Sequence, residues 1–204
     1  MTDVVSFESL MSTQVLTPEQ YLEIERKVEG KNEYYQGEMF AMARVSYVHT
    51  VVAGNTAAEL SRQLRPTPYT VSISDLRVRV SATGLYTYPD VVVACEPKFL
   101  DGHFDVLLNP VLLVEVLSPS TEAYDRGRKF KHYRAIESLQ AYLMVSSDCV
   151  QADLHTRQPD GGWLLTSASR LEDVLSLQSI ACQLTLADLY EKVDFSAQST
   201  PDPR

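Results

Sequence analysis

The chain has 204 residues, which is long enough for one well-buried domain and does not by itself require two. Its hydrophobic content of 45% and charged content of 22% are ordinary for a soluble globular protein. The formal net charge of -9 argues against a dedicated non-specific nucleic-acid binder, whose surface should be basic, although it still allows an enzyme with a small basic cleft.

The sequence predicts a soluble cytoplasmic protein. Cys95, Cys149 and Cys182 lie in apolar surroundings without CxxC spacing, which is typical of reduced core cysteines in a cytosolic protein. The first residues lack the positively charged segment of a signal peptide. No apolar run approaches the length that is needed to span a bilayer, so no membrane association is expected.

The N-terminal part is predicted to contain a helix followed by a hairpin. Residues 1–12 are expected to be loosely ordered. Thr17 begins a capping box before a proline at the first helical position, and the helix is expected to end near Gly30. The run EYYQGEMFAM then predicts a hairpin. Glu38 follows its turn, where an exposed strand glutamate is the default interpretation.

A longer helix and an alternating segment follow. The helix is predicted over residues 46–64, with His49 in its first turn, where a histidine is more often a surface or capping residue than a ligand. Residues 69–80 alternate as a strand with a break at Asp75. Residues 84–86 are predicted to form a loop.

Two apolar runs in the middle of the chain carry carboxylates. Asp90 stands at the entrance to Val91–Cys95, and Glu115 lies inside the run of residues 111–117. Runs this short, apolar and β-branched predict strands that are buried on both faces. An ionised carboxylate buried alone costs several kcal/mol. Glu115 is therefore expected either to pair with a basic residue for structure or to be held for chemistry.

A helix predicted over residues 125–136 carries a lysine towards the core. At about 100° per residue, Lys129 falls on the inward face with Tyr133, whereas Arg128 and Lys131 fall on the outer side. Lys129 could extend to solvent, neutralise Glu115 as a structural ion pair, or serve chemistry. If it serves hydrolysis in an open cleft, removing it should cost little stability.

The rest of the chain predicts an antiparallel meander and a closing helix over residues 185–193. The strands of the meander are residues 140–146, 149–156 and 163–167. The predicted fold class is α/β, with a mixed central sheet flanked by helices on both faces. We expect one domain over residues 13–195, followed by a flexible tail at 196–204.

Two carboxylates and a lysine form a set that suits the cleavage of a phosphodiester bond. Mg²⁺ takes oxygen ligands, commonly one or two carboxylates, and keeps several waters. The metal polarises the phosphate, and a nearby lysine stabilises the charge that develops on it. Asp90, Glu115 and Lys129 occur in the order that this chemistry uses.

These three residues and the segments around them resemble the PD-(D/E)xK nuclease superfamily, and in particular its Uma-type endonuclease branch. The resemblance extends from about residue 17 to residue 193. NPVLLVEVLSPST followed by DRGRKF is its most specific part. The superfamily normally places the lysine two residues after the strand glutamate, where this chain has Leu117. Lys129 on the following helix replaces it, as in the Uma-type branch.

The resemblance implies a restriction-endonuclease-like fold and a set of functional residues. It implies Asp90 and Glu115 as ligands of Mg²⁺ or Mn²⁺, with the backbone carbonyl of Val116 as a further ligand, and Lys129 as the catalytic lysine. Glu38 matches an acidic position of the family hairpin and is implied as an extra ligand or water-holding residue. His49 and Asp75 also match recurrent family positions.

The resulting hypothesis is a Mg²⁺-dependent endonuclease that hydrolyses phosphodiester bonds of DNA and acts as a homodimer. We expect apolar surface of the meander near residues 143–154 to form the dimer contact. We also expect the carboxylates of Asp90 and Glu115 to lie roughly 3–6 Å apart. The alternative is a catalytically silent binding or regulatory module that keeps the nuclease fold, and the acidic balance favours it slightly.

Overall fold

The computed structural model describes residues 15–195. The predictions for residues 1–12 and 196–204 lie outside the described residues, and the domain bounds of 13–195 stay a prediction. Within the described range the helices are α1 (Pro18–Glu25), α2 (Tyr47–Leu64), α3 (Glu122–Tyr124), α4 (Phe130–Tyr133) and α5 (Leu186–Leu189). The strands are β1 (Asn32–Tyr35), β2 (Glu38–Ala41), β3 (Tyr69–Ile73), β4 (Arg77–Val80), β5 (Leu85–Thr87), β6 (Val91–Cys95), β7 (Val106–Leu107), β8 (Pro110–Leu117), β9 (Ala141–Ser146), β10 (Ala152–Arg157), β11 (Trp163–Ala168), β12 (Val174–Leu177) and β13 (Cys182–Thr185).

The central sheet has six strands in the order β11-β10-β9-β8-β6-β3. Strands β8 and β9 are parallel, and the other neighbouring strands are antiparallel. A parallel pair needs a crossover, and the helical segment that contains α3 and α4 supplies it. The predicted mixed sheet and the antiparallel meander of β9, β10 and β11 are therefore confirmed.

Strand β8 is buried on both faces, as its unbroken apolar sequence predicts. Leu112, Val114 and Val116 pack with α2 on one face of the sheet. Leu113 and Leu117 pack on the opposite face, against the crossover helix and strands β4 and β5. Glu115 shares the parity of Leu113 and Leu117, because successive strand residues alternate between faces. Glu115 therefore points towards the crossover helix.

A second sheet was not predicted as a separate layer. It has five strands in the order β2-β1-β5-β4-β7. The predicted break at Asp75 is confirmed, because β3 ends at Ile73 and β4 begins at Arg77. Ser74, whose positive φ is 44°, turns the chain there, and β3 and β4 belong to different sheets. The predicted loop at residues 84–86 is largely strand β5, because Leu85 and Tyr86 are buried.

The C-terminal part of the chain adds a hairpin that was not predicted. Strands β12 and β13 pair antiparallel, and their alternating residues Leu175, Leu177 and Leu184 enter the core beside α2. The closing helix was predicted correctly in position but is shorter than expected. It begins after Thr185, whose side chain accepts a hydrogen bond from the backbone of Asp188.

Two further expectations concern the environment of the cysteines and the presence of membrane-spanning helices. Cys182 is buried and Cys95 half-buried, but Cys149 is exposed, so the expectation that all three cysteines are core residues was wrong. Cys149 lies in the turn between β9 and β10, outside the apolar strands on either side. Among residues 15–195, no helix combines the length and apolar character that crossing a membrane requires.

Candidate functional site

The pairing of β6 with β8 brings Asp90 and Glu115 to the same place. Val91 lies opposite Val114 in this antiparallel pair. Asp90 precedes Val91 and Glu115 follows Val114, so Asp90 and Glu115 lie side by side on the two strands. Oδ2 of Asp90 accepts a hydrogen bond of 2.7 Å from the backbone N–H of Val116. Both carboxylates line one cavity of about 710 Å³.

Glu115 lies at the buried end of this cavity. Its Oε1 accepts a 2.7 Å hydrogen bond from the hydroxyl of Tyr133 and lies 2.8 Å from Nζ of Lys129. Burial raises the pKa of Glu115 well above its ordinary value, with Lys129 opposing the rise and the charges of Asp125 and Asp90 adding to it. Burial thus disfavours the charged form of Glu115, and the ammonium of Lys129 favours it.

Lys129 lies at the end of an unusual helical turn. The segment between α3 and α4, Asp125–Lys129, is π-helical, a form that occurs mostly as single turns and frequently at functional sites. The side chain of Lys129 is only 4% exposed, which confirms its predicted inward direction. Its Nζ lies 3.3 Å from Glu33 and 3.4 Å from Asp125, in addition to the contact with Glu115.

The carboxylates around Lys129 keep it charged. Burial by itself lowers the pKa of Lys129, but Glu115, Glu33 and Asp125 outweigh that effect and hold the pKa well above its ordinary value. The ammonium group is thus a permanent cation inside the cavity at neutral pH. A buried cation with this many anionic neighbours has little freedom to move.

Glu33 is the site residue that the sequence reasoning missed. It lies on β1, where its carboxylate accepts hydrogen bonds from the hydroxyls of Thr87 and, at 2.9 Å, Tyr124. Burial raises the pKa of Glu33, but Lys129 and these two donors outweigh it and leave the pKa below its ordinary value. No local signal in the sequence separates Glu33 from Glu38, because both lie on one face of the β1–β2 pair, where Glu33 is opposite Phe40.

The structure does not bring Glu38 into the cluster. Glu38 begins β2, is exposed, and lies opposite Tyr35 near the turn of the hairpin. It is not among the residues that line the cavity. Asp75 also lies apart from the cavity, with an exposed side chain that forms a 2.7 Å ion pair with Lys31.

His49 does reach the site, although its position at the start of a helix suggested a cap or surface residue. Ser46 caps α2 by accepting a hydrogen bond from the backbone N–H of His49. The imidazole is buried, and its Nε2 lies 2.9 Å from Oδ1 of Asp90. A carboxylate only accepts hydrogen bonds, so Nε2 carries the proton and orients Asp90.

The buried end of the cavity contains more carboxylates than buried cationic groups. Glu33, Glu115 and Asp125 lie next to the buried ammonium of Lys129, and Asp90 lines the same cavity. Within the described residues, no group of three or more His, Cys, Asp or Glu side chains is arranged to hold a metal ion. The donor set fits an ion such as Mg²⁺, which takes one or two carboxylates and completes its shell with water. Asp90 and Glu115 are the pair that could supply those carboxylates, and Val116 lines the same cavity.

Comparisons with known proteins agree with this architecture. A solved "putative nuclease belonging to DUF820" from Anabaena variabilis has the same fold, with a TM-score of 0.70 and 17% identity over 89% of this chain and 98% of that one. Two proteins of Synechocystis sp., both described as uncharacterized, are 38% identical over 180 residues and 36% identical over 156 residues. These matches cover 88% and 76% of this chain, and 94% and 88% of the relatives.

The restriction-endonuclease-like fold that the family resemblance implied is thereby confirmed. Residues 18–188 match the family that is described as "Putative restriction endonuclease". That match spans every residue that lines the cavity, from Glu33 to Asp148. The chain therefore belongs to the Uma2 family.

Proposed function

We propose that this protein is a nuclease that uses a divalent cation, Mg²⁺ or Mn²⁺, to hydrolyse phosphodiester bonds of DNA. The observation that carries the proposal is the arrangement of Asp90 and Glu115 on neighbouring strands, with Nζ of Lys129 at 2.8 Å from Glu115. All three line one cavity. The family description, a restriction endonuclease, supports the same reaction class.

Asp90 and Glu115 would hold the ion, with the carbonyl of Val116 as the further ligand that the family resemblance implies. When bound, the ion would polarise the phosphate and lower the pKa of a coordinated water. The chain's own residues hold these ligands in place. His49 and the amide of Val116 orient Asp90, and Tyr133 orients Glu115.

Lys129 supplies fixed positive charge where a phosphate would become more negative. Its ammonium is held by Glu33 and Asp125, so it needs no reorganisation during the reaction. Such preorganised charge is commonly the largest part of transition-state stabilisation. Glu38, which the resemblance names as an extra ligand, stands outside the cavity, and Glu33 is the better candidate for that role.

The proposal is tested by cleavage of plasmid, linear duplex and single-stranded DNA by the full chain, with Mg²⁺, with Mn²⁺ and with a chelator. We expect cleavage only with a divalent ion, and none for Asp90→Asn or Lys129→Met. The matched control is Lys131→Met, because Lys131 is exposed on the same helical segment and should keep full activity. Absence of cleavage under every metal condition, or full activity of Asp90→Asn, would contradict the proposal.

One observation favours a second function, that of a catalytically silent binding or regulatory module that keeps the nuclease fold. Lys129 already has a complete set of carboxylate partners, and a structural ion-pair cluster needs nothing more. The net charge of -9 points the same way. This alternative predicts no cleavage of DNA in the presence of Mg²⁺, whereas the nuclease predicts cleavage.

We also propose that the protein is a cytoplasmic homodimer, but the expected contact surface was wrong. Leu143 and Leu154 are buried, because β9 and β10 lie inside the sheet. The exposed apolar side chains of the meander are instead Leu164 and Leu165, on the edge strand β11. An exposed apolar edge strand can pair with a strand of a second chain.

A further inference from the structure

The entrance to the cavity is more apolar than its floor. Phe40, Met42 and Val45, on β2 and in the segment that follows it, are 45%, 37% and 56% exposed and line the cavity. Single exposed apolar residues are ordinary. These three are different because they line the same cavity as two exposed arginines, Arg44 and Arg128. We call these five residues the cavity mouth.

The two arginines of the cavity mouth are available to an anion. Both are exposed, and neither forms an ion pair with a carboxylate in the part of the chain that the structure describes. The guanidinium of Arg128 lies 5.9 Å from the centre of the Tyr35 ring, which holds it at the edge of the cavity. Arginine is the residue best suited to contact phosphate oxygens at such a place.

The register of β1 and β2 places Phe40 of the cavity mouth next to Glu33, which contacts Lys129. Phe40 lies directly opposite Glu33 in the β1–β2 pair, and Glu33 is 3.3 Å from Nζ of Lys129. Side chains that are directly opposite on one face of an antiparallel pair are neighbours. A planar group that stacks on Phe40 therefore lies next to the residues that we propose to act on a phosphodiester bond.

We propose that the cavity mouth binds an unpaired nucleic-acid strand, with a base stacked on Phe40 beside Met42 and Val45 and the neighbouring phosphates contacted by Arg44 and Arg128. This inference rests on the proposed nuclease function and specifies its substrate class. Aromatic side chains that stack on bases, combined with cationic contacts to the backbone, are the general basis of single-strand binding.

Charge and shape favour an unpaired strand over an intact duplex. Duplex binding without base readout depends on many phosphate contacts over a broad basic surface, and this chain has a net charge of -9. A duplex also keeps its base faces stacked, so it would present polar backbone to Phe40, Met42 and Val45. An unpaired strand can instead stack a base on Phe40 while its backbone approaches Asp90 and Glu115, which line the same cavity.

The inference is tested by fluorescence anisotropy with a labelled single-stranded DNA oligonucleotide and with the duplex of the same sequence. The full chain is used in a chelator, so that no cleavage interferes. We expect the single strand to bind more tightly than the duplex. We expect Phe40→Ala to weaken single-strand binding roughly 5- to 150-fold and Phe40→Trp to retain it, because base–aromatic stacking has this strength.

Two controls separate stacking and charge from general damage to the protein. Leu171→Ala removes an apolar side chain of similar exposure, 48%, that is not part of the cavity lining, and should change nothing. The double variant Arg44→Ala and Arg128→Ala should reduce the slope of log affinity against log salt by about 1.4, which corresponds to two single-strand phosphate contacts. Thermal melts of each variant verify that the fold is intact.

Equal or tighter binding of the duplex, unchanged binding by Phe40→Ala, or no binding of either form would overturn the inference. The first two results leave the proposed nuclease intact, since metal-dependent cleavage is measured separately. Tight, Phe40-dependent binding of the single strand without cleavage in Mg²⁺ or Mn²⁺ would contradict the nuclease and support the inference about the cavity mouth. The two proposals therefore fail on different measurements.

Discussion

Nζ of Lys129 lies 2.8 Å from Oε1 of Glu115, and their side chains are 4% and 6% exposed. This ion pair is closed to solvent, in contrast to the open cleft that the sequence alone suggested. Removing one partner of a buried ion pair costs far more than removing an exposed charge, because the other charge is left without compensation. A substitution of Lys129 or Glu115 is therefore expected to change the stability of the fold as well as any activity that depends on this ion pair.

We expect Lys129→Met to lower the free energy of unfolding of the metal-free protein by about 3–5 kcal/mol, because Glu115, Glu33 and Asp125 lose their common cation. Chemical denaturation in a chelator measures this change. The exposed Lys131→Met is the control, with an expected change within about 0.5 kcal/mol. A Lys129→Met protein as stable as the parent would mean that the cluster does not depend on the lysine.

Glu33→Gln should destabilise the protein at pH 7 by about 2 kcal/mol, because a charge-assisted set of hydrogen bonds and the contact with Lys129 are weakened. The pKa of Glu33 in the folded protein lies below its ordinary value of 4.5. Its contribution to stability is therefore present above about pH 4.5 and lost as the pH falls through the lower folded-state pKa.

The test compares urea denaturation of Glu33→Gln and Glu38→Gln from pH 7 down to the acid limit of folding. Glu38 is the matched control, since it lies on the same hairpin but is exposed and outside the cavity. The difference between Glu33→Gln and the parent should shrink below about pH 4.5, and Glu38→Gln should follow the parent throughout. A larger effect of Glu38→Gln than of Glu33→Gln would restore Glu38 as the site residue.

His49→Ala should weaken binding of Mn²⁺ or Mg²⁺ by roughly 10- to 100-fold, because Nε2 of His49 orients the carboxylate of Asp90 at 2.9 Å. Isothermal titration calorimetry with each ion measures the affinity directly, without reference to activity. His103→Ala, an exposed histidine outside the cavity lining, is the control. Unchanged affinity in His49→Ala would show that Asp90 either needs no such support or does not bind the ion.

The homodimer prediction now depends on β11. Replacing the exposed Leu164 and Leu165 with lysine should convert a dimer to a monomer, because charges on an edge strand prevent a second strand from adding. Sedimentation velocity at micromolar concentration compares the variant with the parent. A parent protein that sediments as a monomer would remove the homodimer from the proposal.

Local periodicity was enough to predict the burial of Glu115 and the inward direction of Lys129. The short apolar run around Glu115 predicted a strand buried on both faces, and the 3.6-residue repeat of the following helix predicted that Lys129 points inward. Both patterns depend on neighbours within a few residues along the chain. The position of Asp90 at the entrance of β6 was visible for the same reason.

Contacts between residues far apart in the chain decided which side chains are buried in the site, and periodicity could not predict them. Glu33 and Glu38 lie on one face of the same hairpin, and the sequence around them does not distinguish which is buried. Packing of β1 against β5, together with Tyr124 from the crossover helix, buries Glu33 and leaves Glu38 in solvent. The contact between His49 and Asp90 likewise joins residues 41 positions apart in the chain. Such contacts form only when separate elements pack together, so they are properties of the tertiary structure and not of any local pattern.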